Sequence, residues 1–155
     1  MTGITLYTIG YEGATVASFL DALRVAGVEL LVDVRALASS RRPGFAKTAL
    51  GANLATIGVD YLHLRGLGTP ADGRAAARAG RYDEMKRIFL EHMTEDVAQE
   101  ELARLAEIIR GARKVCLMCF EADPSHCHRS YVVDALRPLL KFEVAHLFAK
   151  DEWEE

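Results

Sequence analysis

Two rhythms of apolar residues run along the chain. Five short stretches, 5–9, 30–34, 61–64, 115–120 and 144–148, are close to solidly apolar. A strand that is apolar on both sides belongs in a parallel sheet covered on both faces. Longer segments with helical spacing separate these runs. Val16, Phe19, Leu20, Leu23 and Val28 form one stripe, closed by Gly27 as a C-terminal cap. Segments 45–57, 82–93, 97–109 and 124–140 predict four more helices, the first weakened by Gly51. Strands alternating with helices of this length call for right-handed βαβ crossovers. The expected fold is a three-layer α/β domain, a mainly parallel sheet of about five strands with helices on both faces.

Two connections are long for a compact domain, which makes them candidates for function. Segment 36–44 carries Ser39, Ser40, Arg41, Arg42, Pro43 and Gly44. Segment 65–81 carries Gly66, Gly68, Pro70, Gly73 and the arginines Arg65, Arg74, Arg78 and Arg81. Its alanine-rich part, 75–79, could form a short helix. The expected organisation is a single domain over 1–150 with a solvated acidic tail at 151–155.

Composition narrows the class. The chain has 155 residues, half of them hydrophobic and 26% charged, as one globular domain should. A formal net charge of −3 excludes a generally basic nucleic-acid binder and leaves local basic patches open. The three cysteines, Cys116, Cys119 and Cys127, argue against a disulfide framework and for a reducing compartment. No basic-then-apolar leader opens the chain, and no run reaches the ~18 apolar residues of a membrane span. The expected location is the cytoplasm.

Ligands of open parallel sheets bind beyond the carboxyl ends of the strands. Gly10, Tyr11, Glu12 and Gly13 follow the first strand. The glycines are either a plain strand-to-helix turn or a backbone cradle presenting Tyr11 and Glu12. Asp33 and Arg35 share one face of the second strand, either as an internal ion pair or as ligand-binding groups. Beyond them Arg41, Arg42 and Phe45 could grip an anion, with Phe45 as a stacking platform or a core residue. Arg74, Arg78 and Arg81 read as a solvated helix face. His63 reads as a satisfied strand histidine, and His92 and His146 as surface or packing residues.

The densest segment is 119–129, with Cys119, Glu121, Asp123, His126, Cys127, His128 and Arg129. Asp123-Pro124 is an N-cap followed by proline at the first helical position. That places His126 to Arg129 in the first turns of the last helix, with Arg129 on its inward face. An arginine there needs a negative partner: Glu121, Asp33 or a bound anion. Cys116 and Cys119 match C-x-x-C, but three residues apart on a strand they point to opposite faces. Cys119 or Cys127 is a candidate nucleophile, Glu121 a candidate general acid or base, and His128 a further catalytic candidate. Consecutive residues on a helix diverge by about 100° each, so His126, Cys127 and His128 are not expected to share a metal ion.

Four stretches together resemble the domain of unknown function 488 family. They are Tyr7-Thr8-Ile9-Gly10-Tyr11-Glu12-Gly13; Val32-Asp33-Val34-Arg35 with Ser40-Arg41-Arg42-Pro43-Gly44-Phe45; Tyr61-Leu62-His63-Leu64 with Leu67-Gly68; and Cys119-Phe120-Glu121 with Asp123-Pro124 and Cys127-His128-Arg129. The resemblance implies a single α/β domain and brings no established activity. The family usually has proline between the Val-Arg and Ser-Arg segments, where this chain has Ala36-Leu37-Ala38.

The leading expectation is an enzyme-like domain that binds a phosphate-bearing ligand, a nucleotide or nucleic acid, at the C-terminal edge of the sheet. Tyr11, Glu12, Asp33, Arg35, Arg41, Arg42 and Arg129 would bind it. Cys119, Glu121, Cys127 and His128 would carry chemistry. The alternatives are a non-catalytic nucleic-acid-binding or regulatory module, and a metal-binding or redox protein using Cys119, Cys127 and His128. An anionic small molecule or nucleic acid is the expected partner, with no membrane. The sequence specifies no cofactor.

Overall fold

A computed structural model describes residues 3–111 and 113–149. The acidic tail expected at 151–155 lies outside the described residues. The strands are β1 (Thr5–Gly10), β2 (Leu30–Asp33), β3 (Asp60–His63), β4 (Val115–Cys119) and β5 (Glu143–Phe148). The helices are α1 (Val16–Ala26), α2 (Lys47–Ala55), α3 (Ala71–Arg78), α4 (Tyr82–His92), α5 (Asp96–Arg110) and α6 (Arg129–Leu136). Among the described residues none of these helices is long and apolar enough to cross a membrane.

All four strand pairings are parallel, in the order β3-β2-β4-β1-β5. This is the expected three-layer α/β fold. Residues of β2 and β4 are buried throughout, which is why their sequences are continuously apolar. Phe19 and Leu23 of α1 and Leu50 and Leu54 of α2 pack with Leu31, Cys116 and Met118 on one face. Phe89 of α4, Leu105 and Ile109 of α5 and Val132 of α6 pack with Val32 and Leu117 on the other. The C-x-x-C residues divide accordingly: Cys116 lies in the first cluster and Cys119 in the second.

The strand order decides where the site falls. β4 is inserted between β2 and β1, so its last residue is flanked by two strand ends, with Gly10 paired to Cys119 and Asp33 to Met118. The chain reverses direction across the sheet here, the usual place for a ligand crevice.

The alanine-rich part of the long connection 65–81 does form a short helix, α3, which begins earlier, at Ala71, and packs against α4. One element differs from expectation. The single helix expected over 124–140 is instead a 3-10 turn, Pro124–His126, followed by α6 from Arg129. Asp123 does cap the turn, accepting from the Ser125 N–H at 2.9 Å. Cys127 then takes an extended conformation (φ −125°, ψ 139°), which breaks the helix.

Candidate functional site

A cleft of about 480 Å³ opens at the carboxyl edge of the sheet. The loops after β1, β2 and β4 form one side, and α3 with the start of α4 forms the other. Among the expected site residues, Tyr11, Glu12, Arg35, Cys119, Glu121 and His128 line it. Cys127 and Arg129 sit directly behind Cys119, both buried. Asp33, Arg41 and Arg42 do not line the cleft. Asp33 is buried beneath it, Arg41 is exposed, and the Arg42 Nε–H donates to the Ala14 carbonyl at 2.6 Å.

The β2 end is a closed network. Arg35 donates to both Asp33 carboxylate oxygens (Nε to Oδ1 2.9 Å, Nη2 to Oδ2 2.7 Å). The Tyr61 hydroxyl donates to Oδ2 at 2.6 Å. Arg35 Nη1 is also used, on the Phe45 carbonyl at 2.9 Å and the Tyr11 hydroxyl at 3.2 Å. Burial pulls the Arg35 guanidinium down, and the hydrogen bonds and charge of Asp33 outweigh it, so its pKa ends above the ordinary value. Burial and the bond to Asp33 push the Tyr61 hydroxyl up. Of the two readings of this pair, the geometry gives the internal ion pair. His63 is likewise satisfied, its Nε2 lying 2.7 Å from the Arg35 carbonyl. Phe45 is a core residue, stacked on Tyr11 with ring centroids 4.7 Å apart.

The β4 end is different. Arg129 is fully buried, and among the described residues no carboxylate pairs with its guanidinium. Nη1 donates to the Cys119 sulfur at 3.2 Å and to the Glu121 carbonyl, and Nη2 donates to the Ala122 carbonyl at 3.2 Å. Nε is buried with no partner among the described residues. Burial pulls the guanidinium down to about 10, still charged at neutral pH. Cys119 and Cys127 meet sulfur to sulfur as a disulfide, a pairing not anticipated from a count of three cysteines. The Arg129 backbone N–H lies 3.5 Å from the Cys127 sulfur. Glu121 Oε2 lies 3.7 Å from the Cys119 sulfur, and burial raises the Glu121 carboxyl above the usual carboxylate range.

His128 completes the group. Its Nε2 is 2.7 Å from the Val34 carbonyl, which can only accept, so Nε2 carries the proton and Nδ1 is bare. Nδ1 is 3.9 Å from the Cys127 sulfur. Burial depresses the imidazole to about 4. The ligand atoms of Cys119, Cys127 and His128 lie within 4.8 Å of one another. His126 is not among them, so the three consecutive residues do not converge together. Cys127 is extended and α6 starts at Arg129, and the pair Cys127 and His128 does come within reach of Cys119.

Glycine permits this convergence. A Cβ on Gly10 would land on the Glu121 carbonyl, so the β4 loop crosses the end of β1 only where β1 has no side chain. A Cβ on Gly68 would strike the Ala36 backbone in the same way.

Residues of α3 and α4 are the ones missed. Arg74 and Arg78 line the cleft, while Arg81 is exposed and pairs with Glu84. Tyr82, also lining, stacks on His126 at 4.2 Å between centroids with the rings 2° from parallel. The i, i+4 spacing of Arg74 and Arg78 put them on one helix face. Nothing local distinguished a face over a cleft from one over open water.

The family model for the domain of unknown function DUF488 matches residues 15–136, most of the chain. The chain belongs to the DUF488 family. Three of the four stretches that carry the resemblance lie inside the match, and Tyr7 to Gly13 precedes it. No curated protein matches the chain.

Proposed function

We propose that this DUF488 domain is a thiol-dependent enzyme whose reacting centre is the Cys119–Cys127 pair, and that the cleft presents a small anionic substrate to it. One observation carries the reading: a buried guanidinium, with no carboxylate partner among the described residues, rests on the sulfur of Cys119, at the floor of an open cleft. A disulfide sulfur is neutral and a weak acceptor. Once the bond is reduced, a Cys119 thiolate supplies the anion Arg129 lacks, and Arg129 favours that thiolate. The expectation of a phosphate-bearing ligand fits within this class. Arg74 and Arg78 at the cleft supply the positive charge for it.

The supported chemistry is a two-electron exchange. The Cys119 thiolate attacks one sulfur of a substrate disulfide, the substrate S–S bond breaks, and a mixed disulfide forms. Glu121, whose carboxyl burial raises above the usual carboxylate range, is the general acid that gives a proton to the departing thiolate. Cys127 then attacks the Cys119 sulfur, closes the internal disulfide and passes its own proton to the second leaving thiolate. The substrate gains two electrons and two protons, and an external dithiol returns the centre to its reduced form.

Alkylation of the reduced protein tests this. Cys119 should react with an apparent pKa below the roughly 8.5 of free cysteine, and phosphate or an anionic disulfide should slow the reaction. Arg129→Met should raise that pKa, and Arg78→Ala should weaken the protection. A Cys119 that alkylates like free cysteine, or a disulfide that does not re-form with a small disulfide, would sink the reading.

A further inference from the structure

The group behind the cleft contains more than two sulfurs. His128 directs its bare Nδ1 at Cys127, and its other nitrogen is fixed by donating to the Val34 carbonyl at 2.7 Å. A backbone carbonyl holding the far side of an imidazole is the outer support that metal-ligating histidines carry, since it sets the tautomer and the ring orientation. Tetrahedral zinc with two thiolates and one imidazole holds its donor atoms roughly 3.5–3.8 Å apart, from bond lengths of about 2.3 Å to sulfur and 2.0 Å to nitrogen. The three donor atoms here already lie within 4.8 Å of one another, so opening the S–S bond leaves only a short relaxation.

We propose that the reduced protein binds one zinc ion through Cys119 Sγ, Cys127 Sγ and His128 Nδ1. The proposal rests on the dithiol state of the redox reading above. Thiolate and imidazole donors select a borderline-soft divalent cation over magnesium or calcium. Charge is compatible too. Two thiolates neutralise a dication. Cys119 and His128 line the cleft, so a fourth coordination position is open to solvent or to a ligand group.

The balance is explicit. An external dithiol passes two electrons and two protons to the disulfide and becomes a disulfide itself. Zinc then displaces the proton of the Cys127 thiol and any that Cys119 retains, so both sulfurs bind as thiolates. Disulfide and metal are mutually exclusive occupants of the same sulfurs, so oxidation by any disulfide reagent must expel the ion.

Full-length protein, reduced with excess dithiol and desalted without oxygen, is titrated with cobalt(II) as the optical probe and then with zinc. One equivalent of cobalt should give a thiolate-to-cobalt charge-transfer band and the intense visible absorption of a tetrahedral site, and zinc should abolish both. The oxidised protein should give neither. Cys127→Ser and His128→Ala should each weaken uptake at least about tenfold. The oxidised wild type is the control that needs no substitution, should His128→Ala fail to fold. Reduced protein that re-forms its disulfide yet takes up no cobalt overturns the metal site and leaves the redox centre standing. Equal absorption in the oxidised protein also overturns it. A disulfide that excess dithiol cannot open removes the redox reading, and the metal site with it.

Discussion

Two buried arginines lie at neighbouring strand ends, and they are compensated in opposite ways. Arg35 is bound through both guanidinium edges to Asp33, Tyr11 and the Phe45 carbonyl. Among the described residues Arg129 has two backbone carbonyls, one sulfur and an unpartnered Nε. The first arrangement is complete without a ligand, so it holds the loops after β1 and β2 in place. The second, on the redox reading proposed above, is a positive charge whose counter-charge depends on the oxidation state of Cys119. Burial of an arginine does not mark a reactive site. What marks it is the identity of the group facing the guanidinium, and whether that group can gain or lose charge.

The comparison can be broken most forcefully at Asp33. Asp33→Ala leaves Arg35 buried and uncompensated and should cost about 3–5 kcal/mol in urea unfolding. A loss under 1 kcal/mol would show that the β2 network is not the brace described.

The next effect is a pH dependence. His128 is neutral in the fold, with a pKa near 4, and titrates at its ordinary 6.5 when unfolded. The unfolded chain therefore binds the proton first as pH falls. Stability should drop between pH 6.5 and 4 by roughly 3 kcal/mol and level off below that. Glu121 opposes this, because its raised carboxyl favours the fold at low pH. Glu121→Gln should steepen the acid-side loss. Unfolding midpoints of oxidised, chelator-treated protein from pH 7 to 4 measure both.

Arg129→Met separates stability from reactivity. No carboxylate is orphaned, only carbonyls, so the stability change should stay within about 2 kcal/mol. Alkylation of reduced Cys119 at neutral pH should slow about tenfold or more. The smallest effect belongs to Arg42→Ala. It removes one hydrogen bond to Ala14, about 1 kcal/mol, and should leave the thiol chemistry unchanged because Arg42 is not in the cleft.

The fold was legible wherever burial on both faces forced continuous apolar runs, as in Leu30-Leu31-Val32 and Val115 to Phe120. The divergence of Cys116 and Cys119 was legible from strand geometry alone. The strand ends that bear the cleft were legible from the parallel-sheet rule, because side chains beyond β1, β2 and β4 must share one edge. The meeting of Cys127 with Cys119 was not. It depends on an extended residue between a 3-10 turn and a helix, and the Asp-Pro start signal is the same whether the helix continues or breaks. Arg74 and Arg78 were hidden for a related reason. A helix face takes its meaning from what stands opposite it, and that is set by the packing of α3 on α4.

The insertion of β4 between β2 and β1 also governs the order in which the chain can assemble. β1 bonds only to β4 and β5, both from the last third of the sequence. During synthesis the opening strand must stay unpaired until residue 115 and beyond has left the ribosome, an exposure that invites chaperone attention. A chain cut after Arg110 should show no cooperative unfolding transition, because the centre of its sheet is missing.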